Sequence, residues 1–201
     1  MFQAGKLVVL NLIATFGTSA VAANAIANSI AGVVNVPGTA IGLSIITVID
    51  RCMGAGETGQ AAHYTKRLVG ASYVCMLVMS TGMFLFADTL VSWFNLTPQA
   101  VQMAGQVLRA CAVGNVLFWP MAFTLPNSLR AAGDAVFTMG VSLCSMFACR
   151  VALSYVMACE WGLGLGLLGV WLAMIADWVA RAVLFFVRYR QGKWKKIKVI
   201  G

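Results

Sequence analysis

The chain is divided into six apolar segments, each long enough to cross a bilayer. They lie at about 2–18, 20–49, 68–87, 101–126, 136–159 and 165–187. A bilayer core of about 30 Å needs about 20 apolar residues as a helix. All six are too long for barrel strands of about 10 residues, and none alternates strictly between apolar and polar side chains. Inside lipid the backbone must satisfy its own hydrogen bonds, which leaves the α-helix. The sequence therefore predicts an all-α polytopic membrane protein with six transmembrane helices. Composition agrees: 61% of the 201 residues are apolar and only 10% are charged, against usual values of about 45–50% and about 25%. A soluble domain of this size could not build its surface from so few charges. The same numbers exclude disorder, collagen and small disulfide scaffolds.

The net charge of +8 matters chiefly through its distribution. Arg51, Lys66 and Arg67 lie between the second and third segments, and Arg130 follows the fourth. Arg188, Arg190, Lys193, Lys195, Lys196 and Lys198 crowd the C-terminal end, with 191–201 as a basic tail after a lobe of 1–190. If the spans alternate, these ten basic residues fall on one side. The opposite loops hold Asp88 and Glu160 and no Lys or Arg. That pattern predicts both termini in the cytoplasm of a plasma (inner) membrane protein. A basic stretch directly after an apolar span contacts anionic headgroups of the bilayer rather than nucleic acid.

No enzyme is expected. His63 is the sole histidine, the serines are scattered, and no two carboxylates share a span. The six cysteines form no CxxC, so no metal or other cofactor is expected, and Cys serves here as a small apolar side chain. The N-terminus lacks the basic region and cleavage site of a signal peptide. Gly54-Ala-Gly56-Glu-Thr-Gly59 and Gly164-Leu-Gly166-Leu-Leu-Gly169 match GxGxxG, but neither sits in a βαβ unit. Both are read as tight loops needing positive φ angles. The sequon at Asn95 is given no role.

Three features stand out within the spans. At 100° per residue, Asn24, Asn28, Asn35 and Thr39 of the second span share a sector of roughly 60°. Gly38 and Gly42 form a GxxxG step near the same face. The stripe reads either as helix packing or as the wall of a polar cavity, and Pro37 is the expected kink or hinge. Charges inside spans are costly and turn inward. Asp177 and Arg181 are spaced i,i+4, Arg150 lies mid-way along the fifth span and Arg109 toward the outer part of the fourth. These read as a structural ion-pair network, or as a relay in which only Asp177 could titrate, since arginine stays protonated.

Several of these stretches resemble one family. They are Gly17-Thr-Ser-Ala-Val-Ala-Ala-Asn-Ala-Ile, Pro37-Gly38, Gly54-Ala-Gly56, Leu129-Arg-Ala-Ala-Gly-Asp134, and Gly169-Val-Trp171-Leu-Ala-Met with Asp177-Trp178. In order and spacing they are similar to the second half of the multidrug and toxic compound extrusion family. The resemblance implies an antiporter of two six-helix lobes that exports organic cations or amphipathic drugs in exchange for sodium ions or protons. It implies a cavity between the lobes, with Asn24, Asn28, Asn35, Thr39 and Asp177 as candidates for the substrate or ion pathway. This chain would supply the seventh to twelfth helices, beginning inside the seventh at Phe2-Gln3-Ala4-Gly5-Lys6. The acidic coupling residues of the N-terminal lobe are absent, so transport by the chain alone is not expected. The alternative is a non-transporting membrane subunit that pairs with a separate N-terminal lobe.

Overall fold

A computed structural model describes residues 2–159 and 162–196; Glu160 and Lys198, both used in the charge count, lie outside them. All regular structure among the described residues is helical. The short helix α1 spans Phe2–Ala14. It is followed by α2 (Thr18–Gly54), α3 (Thr58–Leu85), a one-and-a-half-turn helix α4 (Ala87–Ser92), α5 (Pro98–Trp119) and α6 (Leu125–Ala131). A π-helical stretch, Pro120–Thr124, joins α5 to α6. Then come α7 (Ala135–Ser145), a second π stretch (Met146–Ala152), α8 (Leu153–Ala158), α9 (Gly166–Arg190) and a 3-10 turn, Lys193–Lys196.

Every apolar segment became helix, and five are long and apolar enough to span a bilayer: α2, α3, Pro98–Ala131, Ala135–Ala158 and α9. At about 1.5 Å per residue, α1 is shorter than a bilayer core. The helices outrun the apolar segments at one end of the bundle. The third begins at Thr58 rather than near 68, and the second continues to Gly54. Arg51, Lys66 and Arg67 therefore ride on helices instead of in a loop. The turn between them is three residues long, with Gly56 at φ 76° and the Glu57 N–H donating to Cys52 O at 2.9 Å. Of the two GxGxxG stretches, Gly56, Gly164 and Gly166 take positive φ, whereas Gly54, Gly59 and Gly169 are helical. A Cβ on Gly169 would lie 2.5 Å from Met157 O, so that glycine serves close packing.

Long-range bonds sort the turns onto two ends. Arg188 grips Asp134, and Tyr189 Oη donates to Ala62 O at 3.3 Å, which puts the α2–α3 turn, the 132–134 turn and the end of α9 together. At the other end Ser19 Oγ meets Thr97 Oγ1 at 3.4 Å and Arg109 meets Asp88. The alternation assumed in the charge count is thus present among the described residues.

The core runs along α2. Ala20, Ala23, Ala27, Ala31, Val34, Gly38 and Gly42 are buried at three- and four-residue steps, the spacing of one helical face. Their small size admits close neighbours: a Cβ on Gly38 would lie 2.4 Å from the Trp119 ring, and one on Gly42 2.8 Å from Asn127 Nδ2. Large apolar side chains such as Val33, Leu85 and Val136 face outward, as lipid-facing residues do.

Candidate functional site: a cationic intramembrane cavity

A cavity of about 330 Å³ opens between α1, α2, α9 and the two π stretches. Lys6, Val9, Leu10 and Ile13 form its α1 wall. Asn24 and Asn28 come from α2, Phe123 and Arg150 from the π stretches, and Val170, Trp171 and Met174 from α9. Asn24 is the organising group. Its Oδ1 accepts from Trp171 Nε1 at 3.1 Å and from Asn28 Nδ2 at 3.0 Å, and its backbone carbonyl accepts from Asn28 Nδ2 at 2.8 Å. Asn24 is buried while Asn28 is exposed to the cavity side. One amide thus ties α2 to α9, and the next turns its own toward the opening.

Arg150 Nη2 donates to Met174 Sδ at 3.2 Å, a soft acceptor. Arg150 belongs to none of the ion pairs among the described residues. Lys6 lies across the same cavity, and no carboxylate is among the lining residues. In a π turn the helix widens, and such bulges recur at functional sites. Here Met146–Ala152 sets the phase at which Arg150 leaves the helix.

The other expected site residues lie elsewhere. Asn35 and Thr39 do not line this cavity; Thr39 Oγ1 donates back to Val36 O at 2.7 Å, and the buried Asn35 Oδ1 has no partner. The helix α2 runs without a break through Pro37. Asp177 is wholly buried and held by Arg181, whose Nε is 2.9 Å from Oδ1 and whose Nη2 is 2.9 Å from Oδ2. Arg181 also donates to Ser145 Oγ at 2.8 Å and to the Ser142 carbonyl at 3.2 Å, so the pair fastens α9 to α7. Arg109 takes no part in that network. It pairs with Asp88 at 2.5 Å at one end of the bundle, where both side chains are substantially exposed.

Asn115 belongs to no stripe or charged pair in the sequence. It is fully buried in α5 with neither amide atom bonded, and Trp178 Nε1 is likewise without an acceptor. Its signal was available: an amide mid-way along an apolar span. Among the described residues no three His, Cys, Asp or Glu side chains converge on a common point.

Residues 1–156 match the MatE family profile. The chain belongs to the MatE family. Relatives of this MatE chain include the probable multidrug resistance protein NorM of Thermotoga maritima, 25% identical over 200 residues. That alignment covers 100% of this chain and 42% of the relative. Among solved structures, a multidrug resistance MATE transporter of the MOP superfamily superposes in its outward-facing conformation with a TM-score of 0.86 at 17% identity. That match covers 98% of this chain and 44% of the other. The inward-facing conformation superposes with a TM-score of 0.84 at 17% identity, covering 98% and 46%. The MatE chain described here thus spans under half the length of the proteins it matches.

Proposed function

We propose that this chain forms one lobe of a multidrug efflux antiporter, with its 330 Å³ cavity as that lobe's share of the substrate site. A second lobe of six helices would face α1, α2 and α9 and close the cavity from the other side. Transport would proceed by rocking of the two lobes about a midplane site, driven by inward flow of sodium ions or protons. The near-equal superposition on outward- and inward-facing transporters supports this, because a lobe that rocks as a unit keeps its own shape. The charge asymmetry of the two ends supports an inner-membrane protein with the tail end in the cytoplasm.

The observation that carries the proposal is the wall itself: an apolar lining interrupted by one amide network and two cations. Pockets of this kind bury an apolar body and fix it with a few polar groups. Amphipathic compounds with an electron-rich or anionic end suit Arg150. Organic cations would need acceptors supplied by the opposite lobe. Asp177 acts as an anchor of the lobe, since Arg181 hydrogen-bonds one carboxylate oxygen and ion-pairs with the carboxylate from within the bundle.

The test uses vesicles that contain the chain alone, or the chain with the N-terminal six-helix lobe of a family member. They are loaded with a fluorescent amphipathic anion or cation and given a sodium or proton gradient. Gradient-driven movement is expected only with both lobes, and Arg150→Gln lowers it most for the anion. No movement under either gradient, with both lobes inserted and associated, overturns the proposal.

A further inference from the structure

At the end of the bundle that carries the basic tail, the chain folds back on α9. Trp194 is buried, its ring stacks on Tyr189 with centroids 5.4 Å apart and planes 9° from parallel, and its Nε1 donates to Tyr189 O at 3.2 Å. Tyr189 is fixed in turn to α3 through Ala62 O. This docking leaves a cup of about 200 Å³ over the α3–α9 seam, rimmed by Lys66, Arg190 and Lys195. No carboxylate lines the cup, and none of these three cations belongs to an ion pair among the described residues.

The cup does not end in protein. Lys66, Tyr189 and Arg190 also border a second hollow of about 300 Å³, whose walls are apolar: Val69, Met121, Leu125 and Phe186. It runs from Lys66 toward Tyr73 along α3, about 10 Å of helix at about 1.5 Å per residue. Its direction is into the hydrophobic band of the bundle. A basic cup joined to an apolar groove of that direction has the two-part chemistry of a lipid.

The geometry points to a binding site for one anionic phospholipid, its phosphate in the Lys66–Arg190–Lys195 cup and an acyl chain along the α3–α9 groove. A soluble anion would use only the cup. A zwitterionic lipid would bring its own cation against three others. Trp194 is the element that builds the cup, because its burial holds Lys195 beside Arg190.

The experiment measures binding of phosphatidylglycerol, phosphatidylcholine and glycerol phosphate to the delipidated chain in detergent, by native mass spectrometry and thermal shift. One phosphatidylglycerol per chain and a raised melting temperature are expected, without either effect from the other two. Replacing Lys66, Arg190 and Lys195 together by Gln weakens phosphatidylglycerol binding roughly a hundredfold. Gly70→Phe is a second variant, because Gly70 borders the groove and a side chain there meets open space. It fills the groove and abolishes lipid retention with all three cations in place. Phosphatidylglycerol binding no tighter than phosphatidylcholine, or unchanged in either variant, overturns the site. Glycerol phosphate binding as tightly as the lipid overturns the acyl groove.

Discussion

Arg181 lies one turn after Asp177 on α9, its Nε donating to Oδ1 at 2.9 Å and its Nη2 in ion-pair contact with Oδ2 at 2.9 Å, an oxygen that accepts no hydrogen bond. Both side chains are buried, so neither charge has water to fall back on. Removing one partner of a buried pair costs about 3–5 kcal/mol, whereas replacing both by apolar groups is near neutral or stabilising. Asp177→Asn should therefore lower the melting temperature sharply in detergent, and Asp177→Leu combined with Arg181→Leu should recover most of the loss. An Asp177→Asn protein that melts like the parent but loses ion-driven transport would assign Asp177 to the ion pathway instead.

The contact of Gly38 with Trp119 gives a second prediction. Gly38→Ala forces a Cβ to 2.4 Å from the indole ring. Overpacking of this kind costs about 1–3 kcal/mol. Trp119→Phe, which removes the clashing part of the ring, should relieve Gly38→Ala in the double variant. Gly32→Ala is the control. Nothing lies within 4 Å of its added Cβ, and the change should leave stability equal or raise it by up to about 1 kcal/mol. Thermal unfolding of the four variants decides the matter.

Asn24 is predicted to matter more than Asn28. Asn24→Leu strips Trp171 Nε1 and Asn28 Nδ2 of their shared acceptor, and an orphaned buried donor costs about 1–3 kcal/mol. Asn28→Leu removes only a donor, and the Trp171 bond survives it. A larger melting-temperature loss for Asn28→Leu than for Asn24→Leu would show that the network is organised from the other end.

Asn115 inverts the usual expectation for a buried polar residue. Its amide already lacks partners, so Asn115→Leu should be neutral or stabilising by about 1–3 kcal/mol. Destabilisation on that substitution would reveal a bound water or ion on the amide, since such groups are rarely left unmade without one.

The turn at 132–134 depends on a fork-to-fork contact. Arg188 Nε and Nη2 reach the two oxygens of Asp134 at 2.7 and 3.1 Å, while Gly133 supplies a φ of 90°. Arg188→Lys keeps the charge but loses the bidentate geometry, a loss of about 1.5–3 kcal/mol for hydrogen bonds to a charged group. Faster amide hydrogen exchange at 132–135, with α9 itself unchanged, is the expected result.

The spans were legible because apolar runs of that length have one solution in lipid. Their ends were not. Asp50, Arg51, Lys66 and Arg67 are charged yet helical, so hydropathy marked the apolar band rather than the helix. The angle of the asparagine stripe says nothing about level along the helix. Asn24 meets α9 and the cavity, whereas Asn35 and Thr39 sit further along α2, beyond the lining residues. Arg150 was harder still. Sequence periodicity assumes 100° per residue, and the π turn that contains Arg150 departs from that value. Asp177 with Arg181 was readable from spacing alone, because i,i+4 partners meet on any regular helix.

The wide turn at Met146–Ala152 bears on how this lobe tolerates change in its length. Removing one residue from that stretch would allow the turn to close to ordinary helical pitch, leaving α7 and α8 each intact. The two would keep nearly the same rotation relative to one another, because a wide turn takes up one extra residue, and only the side chains within the stretch, Arg150 among them, would be re-aimed. In this span a single-codon deletion resets a polarity that a point substitution can only erase.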